Sequence, residues 1–230
     1  MNDDFSSGAR DEAAFMDAWR GLRQRLLARG LMPKASDSLS LRDPGSGRMY
    51  WGSAVDASMQ AFSIEAEPAE AMSVMSAMSA TAAAWHRAIY QARQDVCAVL
   101  VGGGPFGRQI AAFGGWMPAV FDEQIRQLGH MARPTEDLAR LPAALADGGN
   151  AAMHAGQLLL LGMTPSRLAL NAELFEKCAK AWVPAMAGGA KVRTLPWLVR
   201  HVANGRLMRE ESRARERVRS GKAPLETRGY

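Results

Sequence analysis

The 230-residue chain predicts one domain of the α/β or α+β class, with strands of mixed pairing and helices packed against them. Three observations carry this. The composition, 48% hydrophobic and 22% charged, is that of an ordinary globular domain. At this length one core buries roughly 70% of the unfolded chain's surface without disulfide or metal staples. Short apolar or alternating runs are interleaved irregularly with amphipathic stretches of helical period, and the first two runs form a hairpin. No internal repeat is present.

The elements follow in order. Phe15, Trp19, Leu22 and Leu26 recur at helical spacing, so Asp11 to Arg29 predicts an amphipathic helix stopped by Gly30. Ser38 to Arg42 alternates with period two, Asp43-Pro44-Gly45-Ser46-Gly47 turns the chain, and Arg48 to Trp51 returns it. Ser73 to Arg93, rich in Ala and Met, predicts a helix that starts there or nearer Ser79. The spacing of Met72, Met75 and Met78 fits helix packing or an oligomer contact better than a cofactor site. Cys97 to Val101 is a buried strand broken by Gly102-Gly103-Gly104, and Pro105 opens a short helix to Phe113. A short strand is expected over Met117 to Phe121, a helix over Asp122 to Gly129, loop and helix over Arg133 to Gly149, and a buried strand over Gln157 to Leu161. Thr164-Pro165 caps a helix whose stripe is Leu168, Ala172, Phe175, Ala179 and Trp182, with Pro184 as its end. Pro196 to about Arg219 is the last helix.

Charge and termini narrow the function classes. The net charge is +5, but the segment from Arg206 to Tyr230 has seven Arg and one Lys against four Glu, leaving only +1 for the rest. The basic character thus belongs to the tail. There, Arg206, Arg209, Arg213 and Arg217 share a helix with Glu210, Glu211 and Glu216. Mixed signs favour a solvated, self-paired helix, with a docking tail for an acidic protein as the alternative. Nucleic acid is disfavoured because no aromatic residues interleave with the arginines. The longest aliphatic run, Leu158–Leu161, is far short of the ~20 residues of a membrane helix. The acidic start lacks the features of a signal peptide, and Cys97 and Cys178 read as buried thiols. A soluble cytoplasmic protein is expected.

Gly102 to Gly107 satisfies G-x-G-x-x-G after a strand, and Asp122 lies where a ribose-binding acid would be. Pro105 removes a backbone donor beside the proposed cradle, the following helix is short, and about a hundred residues precede the motif. A glycine-lined turn is the preferred reading, with nicotinamide binding as the alternative.

Several segments resemble the class II aldolase/adducin family: Trp85-His86-Arg87-Ala88-Ile89-Tyr90, Asp95 to Val101, Pro118-Ala119-Val120-Phe121-Asp122-Glu123, Gly162-Met163-Thr164-Pro165 and Glu173 to Ala179, with Leu39 to Pro44 upstream. The resemblance spans roughly residues 10–205. It implies a three-layer αβα sandwich with a mainly antiparallel central sheet, residues 1–205 as the aldolase-like domain and residues 206–230 as a basic C-terminal helix and tail. It also implies a homo-oligomer, a tetramer with active sites between subunits.

Family enzymes act on sugar phosphates with a divalent metal held by three histidines and a glutamate that transfers protons. Carried over residue by residue, the ligand positions fall on Val101, Gly103 and Gly156, and the glutamate on Ala82. None offers a side-chain lone pair, so no metal and no cofactor is expected. The phosphate positions fall on Asp37 and Ser38, on Trp51 and Ala54, and on Ala80 and Thr81. Ser38, Ser53 and Thr81 remain able to hydrogen-bond a ligand, while an anionic Asp37 would repel phosphate. His86 is expected to be structural. His154, two residues before a lost ligand position, is expected to be a loop histidine; as the alternative, it and Asp37 are the candidates for a replacement acid or base. Glu173 and Glu176 are expected on a solvated or salt-bridged face. The sequence thus predicts a catalytically degenerate scaffold or small-molecule-binding subunit. The alternative is a metal-independent lyase or isomerase of a small carbonyl or sugar-derived substrate.

Overall fold

The computed structural model describes residues 3–65 and 77–226, with side chains from residue 12 onward. The order is α1 (Asp3–Ala28), β1 (Ser38–Asp43), β2 (Arg48–Ser53), β3 (Gln60–Ser63), α2 (Ala77–Ala92), β4 (Ala98–Val101) and α3 (Pro105–Gln109), which passes into a 3-10 turn. There follow α4 (Asp122–Leu128), α5 (Leu141–Ala144), β5 (Ala151–His154), β6 (Gln157–Gly162), α6 (Pro165–Ala187) and α7 (Trp197–Arg219). The part of the Ala/Met-rich helix expected before Ala77, with Met72 and Met75, lies outside the described residues.

The six strands form one sheet in the order β3-β2-β1-β4-β6-β5, and all five neighbouring pairs are antiparallel. The predicted hairpin is present, pairing Ser40 with Trp51 and Leu41 with Tyr50. Alternation then sorts the side chains. Leu39, Leu41, Leu100, Leu158 and Leu160 join Trp19, Leu26 and Phe175 in one apolar cluster, so α1 and α6 cover that face. Met49, Trp51, Val99, Val101, Leu159 and Leu161 join Ile89, Tyr90 and Leu141 in a second cluster, so α2 and α5 cover the other.

Polar residues on the α2 face are paired rather than exposed. The imidazole of fully buried His86 spans two β1 hydroxyls, with Nε2 2.8 Å from Ser38 Oγ and Nδ1 2.7 Å from Ser40 Oγ. Ser40 Oγ is also 2.8 Å from the Tyr90 hydroxyl. Desolvation pushes His86 down from 6.5 to about 3, so its ring is neutral, with one nitrogen donating and one accepting. Arg42 lies over the Tyr90 ring and donates to the carbonyls of Tyr90, Arg93 and Gln94. Both cysteines are free and buried, and burial pushes each thiol up to about 12.

The structure corrects several expectations. Met117 to Phe121 is no strand: Ala119 O accepts from Leu195 N at 2.9 Å, and the flanking backbone groups are met by the Gln124 side chain. That amide accepts from Val120 N at 3.1 Å and donates to the Pro118 carbonyl at 3.1 Å. Pro184 does not end α6, which runs on to Ala187; Pro184 is exposed, where water can serve the carbonyl its missing N–H leaves free. His154 lies on a strand rather than a loop. β5 and β6 are joined through Ala155 and Gly156, both at positive φ (46° and 69°), the geometry of a tight two-residue hairpin. β3 and β5 were not anticipated.

The C-terminal helix is partly integral to the body. The boundary expected between residues 205 and 206 falls inside α7, and Leu207, Glu211 and Ala214 are buried. Glu211, expected on a solvated face, instead meets buried Arg93 at 3.1 Å and accepts from Asn150 at 3.0 Å. Arg206, which is exposed, and half-buried Glu210 do pair in the expected i,i+4 form.

Candidate functional site

The Gly-rich turn after β4 is filled from within. Gly104 is the N-cap of α3 and Pro105 its first residue. The next two amides, Phe106 N and Gly107 N, donate to Glu176 Oε1 and Oε2 at 2.9 and 2.8 Å. A helix start that could receive a phosphate thus receives a carboxylate from α6. A Cβ at Gly104 would collide with that carboxylate, which is the close approach that requires glycine here. The structure therefore gives no support to nicotinamide binding at Gly102–Gly107. It also moves Glu176 from a solvated face to a cap. Glu173 is salt-bridged, to Arg25 at 2.9 Å.

A cavity of about 590 Å³ opens on the α2 face of the sheet. β2 contributes Trp51 and Ser53, α2 contributes Thr81, Ala82 and Trp85, and the end of β4 contributes Val101. Five of the positions singled out from sequence, Trp51, Ser53, Thr81, Ala82 and Val101, therefore meet in one place. Exposed Ala35 and Ser36 before β1, Ala77 and Ser79 at the start of α2 and Gln157 at the start of β6 complete the lining, and Val55 and Met78 form an exposed apolar rim.

The remaining candidates lie elsewhere. Ser38 is buried under His86 and does not line the cavity. Asp37, 1% exposed, accepts from Arg108 Nη2 at 2.5 Å and from Lys34 N at 2.9 Å. Arg108 also donates to the Gly103 carbonyl at 2.7 Å, so it ties Asp37 to the Gly-rich turn. His154 is buried at the sheet edge, its Nδ1 2.9 Å from Thr135 Oγ1 and its ring edge-on to Trp85 at 4.8 Å. Desolvation lowers its pKa, so it is neutral near pH 7. It touches a cavity residue without reaching the cavity.

Val101 stands on the cavity wall, but Gly103 and Gly156 do not. A side chain at Gly103 would meet Leu158 Cδ2 at 2.6 Å, so the core already occupies that space. Gly156 sits in the β5–β6 turn, open to solvent. Among the described residues no group of three or more His, Cys, Asp or Glu is gathered closely enough to hold a metal ion. The cavity wall likewise carries no acidic, basic or histidine side chain among them.

Sequence reasoning did not single out Trp85 or Met78 as cavity residues, although the Trp85-His86 pair was visible. The two sit adjacent on α2 but have different surroundings: Trp85 meets the cavity and His154, while His86 is buried against β1.

Among the described residues, no helix is long and apolar enough to cross a membrane. No family model and no curated protein sequence matches the chain. Solved structures do. The L-fuculose 1-phosphate aldolase of Glaciozyma antarctica PI12 superposes with a TM-score of 0.68 at 13% identity, covering 94% of this chain and 93% of that one. YgbL of Klebsiella pneumoniae, assigned as an aldolase/epimerase/decarboxylase, gives 0.67 at 16% identity, covering 84% and 98%. An aldolase II superfamily protein of Pseudomonas syringae gives 0.63 at 16% identity, covering 93% and 94%. At such identities the likeness is one of fold, and on that ground the chain has the fold of class II aldolase superfamily proteins.

Proposed function

We propose that the protein is a catalytically degenerate class II aldolase/adducin-like protein that binds an organic small molecule in the cavity between α2 and the sheet. The observation that carries this is the cavity wall. Where the family resemblance puts a metal ligand and a proton-transferring glutamate, it has Val101 and Ala82. Neither valine nor alanine donates a lone pair or a proton. The other two ligand positions of the resemblance, Gly103 and Gly156, are equally without donors. The residues present do not fit a metal, and no step of a metal-dependent aldol cleavage is derived for them.

The reading extends to a pseudoenzyme with a three-layer αβα arrangement, acting in the cytoplasm as a homo-oligomer, a tetramer by resemblance. The basic stretch from Arg206 onward would be a solvated, self-paired surface, with docking of an acidic protein partner as the alternative. The alternative, a metal-independent lyase or isomerase, needs a general acid or base beside the substrate. Its two candidates are Asp37, held by Arg108, and His154, held by Thr135. Neither lines the cavity.

The test is direct. After dialysis against zinc, the protein is expected to hold less than stoichiometric metal and to show no retro-aldol turnover on ketose 1-phosphates. Stoichiometric metal accompanied by turnover would overturn the proposal.

A further inference from the structure

The cavity's chemistry narrows its ligand, an inference that rests on the small-molecule reading above. We infer that the cavity takes a neutral, largely aromatic or alicyclic molecule bearing a carbonyl or hydroxyl acceptor, and that it discriminates against sugar phosphates and other anions.

The wall is built for apolar surface. Trp51, Trp85, Met78, Val101 and Val55 supply ring faces, a thioether and branched methyls. At about 590 Å³ the space is within the ordinary range of small-molecule pockets, which are mostly apolar with a few placed polar groups. A phosphate or carboxylate entering it would leave its water shell and, among the described residues, meet no cationic side chain on the wall. Arg108, tied through Nη2 to Asp37 and through Nε to the Gly103 carbonyl, is not among the residues on the wall.

The polar groups that remain favour an acceptor on the ligand. The indole Nε1–H of Trp51 is buried and has no hydrogen-bond partner among the described residues. Trp51 is only 4% exposed, so this donor is withheld from bulk water, and an indole N–H can only donate. A ligand oxygen that displaces the side chains covering this nitrogen on binding would recover a bond that the unbound protein forgoes. Ser53 Oγ already accepts from Asp56 N at 3.1 Å and still has its own proton to give. Thr81 donates to the Ala77 carbonyl at 2.9 Å and keeps lone pairs. With the hydroxyls of Ser36 and Ser79 and the Gln157 amide also on the wall, these few neutral donors and acceptors suit a ketone, aldehyde or alcohol on a ring system.

Titration calorimetry on the full chain tests this with three probes: 2-acetylnaphthalene, 2-naphthyl phosphate and ribose 5-phosphate. The expected result is one-to-one binding of 2-acetylnaphthalene, with both phosphates at least tenfold weaker. Ala82→Phe, which fills the cavity from α2, should abolish that binding without lowering Tm. Trp51→Phe keeps a ring and removes the donor; it should weaken 2-acetylnaphthalene about five- to tenfold and leave 2-methylnaphthalene, which has no acceptor, unchanged.

Tighter binding of ribose 5-phosphate, lost in Ala82→Phe, would overturn the ligand class and leave small-molecule binding intact. Binding of none of the probes would overturn the ligand class, and the failure of the broader reading would then be shown separately by metal uptake with turnover. Unchanged affinity in Ala82→Phe would place binding outside the cavity and overturn the inference.

Discussion

Removing the Glu176 carboxylate would strip the acceptor from two amides at the start of α3, Phe106 N and Gly107 N. Both bonds are partly buried, with Glu176 as the acceptor of each. Hydrogen bonds to a charged acceptor are worth more than neutral ones, and unsatisfied donors add their desolvation cost. Glu176→Ala is therefore expected to destabilise the protein by about 2–4 kcal/mol, read as a lower urea midpoint at unchanged m-value. Glu176→Gln, which retains one acceptor oxygen, should lose roughly half as much. A midpoint within error of the parent for Glu176→Ala would mean that the amides find water instead. The same geometry explains why the glycine fingerprint misleads. Its strand, turn and helix are all present, but the anion is supplied by the chain itself. In sequence Glu176 is one more polar residue on a long helix, and its partners lie some seventy positions away.

Elements joined by local patterns were legible, and elements joined by distant contacts were not. The β1–β2 hairpin was visible because alternation and an Asp-Pro-Gly turn agree within sixteen residues. α6 was visible from its Thr164 cap and apolar stripe, and Thr164 Oγ1 does accept from Arg167 N at 3.0 Å. β5 was hidden because Ala-Ala-Met-His has little strand propensity; pairing with β6 makes it a strand. The cavity was legible only through the family resemblance, which named Trp51, Ser53, Thr81, Ala82 and Val101 but not Trp85 as part of the wall. The docking of α7 was hidden because its anchor is the side chain of Arg93 on another part of the chain. Arg93 donates to both Asp95 oxygens, at 2.9 and 2.6 Å, to the Gly149 carbonyl at 2.9 Å and to Asn150 at 3.1 Å, and it pairs with Glu211. Both carboxylates are 1% exposed. Arg93→Met would leave two buried acids without their common partner, and is expected to cost about 3–5 kcal/mol. Glu211→Gln, which keeps a side chain able to bond Asn150, should cost far less. If Arg93→Met and Glu211→Gln destabilise equally in urea titrations, the network does not hold α7 in the way its geometry implies.

Two buried groups give the whole molecule opposite responses to pH, and their windows overlap. His86 is held from 6.5 down to about 3 by desolvation, so the unfolded chain takes up a proton there that the folded chain refuses. Its contribution is fully present above pH 6.5 and is lost as pH falls towards 3, about 5 kcal/mol in all. His130 and His154, also lowered chiefly by desolvation, act in the same direction. Glu211 is raised from 4.5 to about 7, first by desolvation and despite the opposing charge of Arg93, so here the folded chain binds the extra proton. Its contribution is fully present below pH 4.5 and is lost as pH rises towards 7, about 3 kcal/mol. Between pH 4.5 and 6.5 the two slopes nearly cancel. Stability from urea unfolding is expected to be flat across that interval and to drop steeply below pH 4.5, where Glu211 no longer opposes the histidine term. Glu211→Gln deletes the opposing slope, so stability should instead climb continuously from pH 3 to 6.5, and the plateau should vanish. A Glu211→Gln profile parallel to that of the parent would show that Glu211 does not bind its proton in this range. The flat region would then need another source.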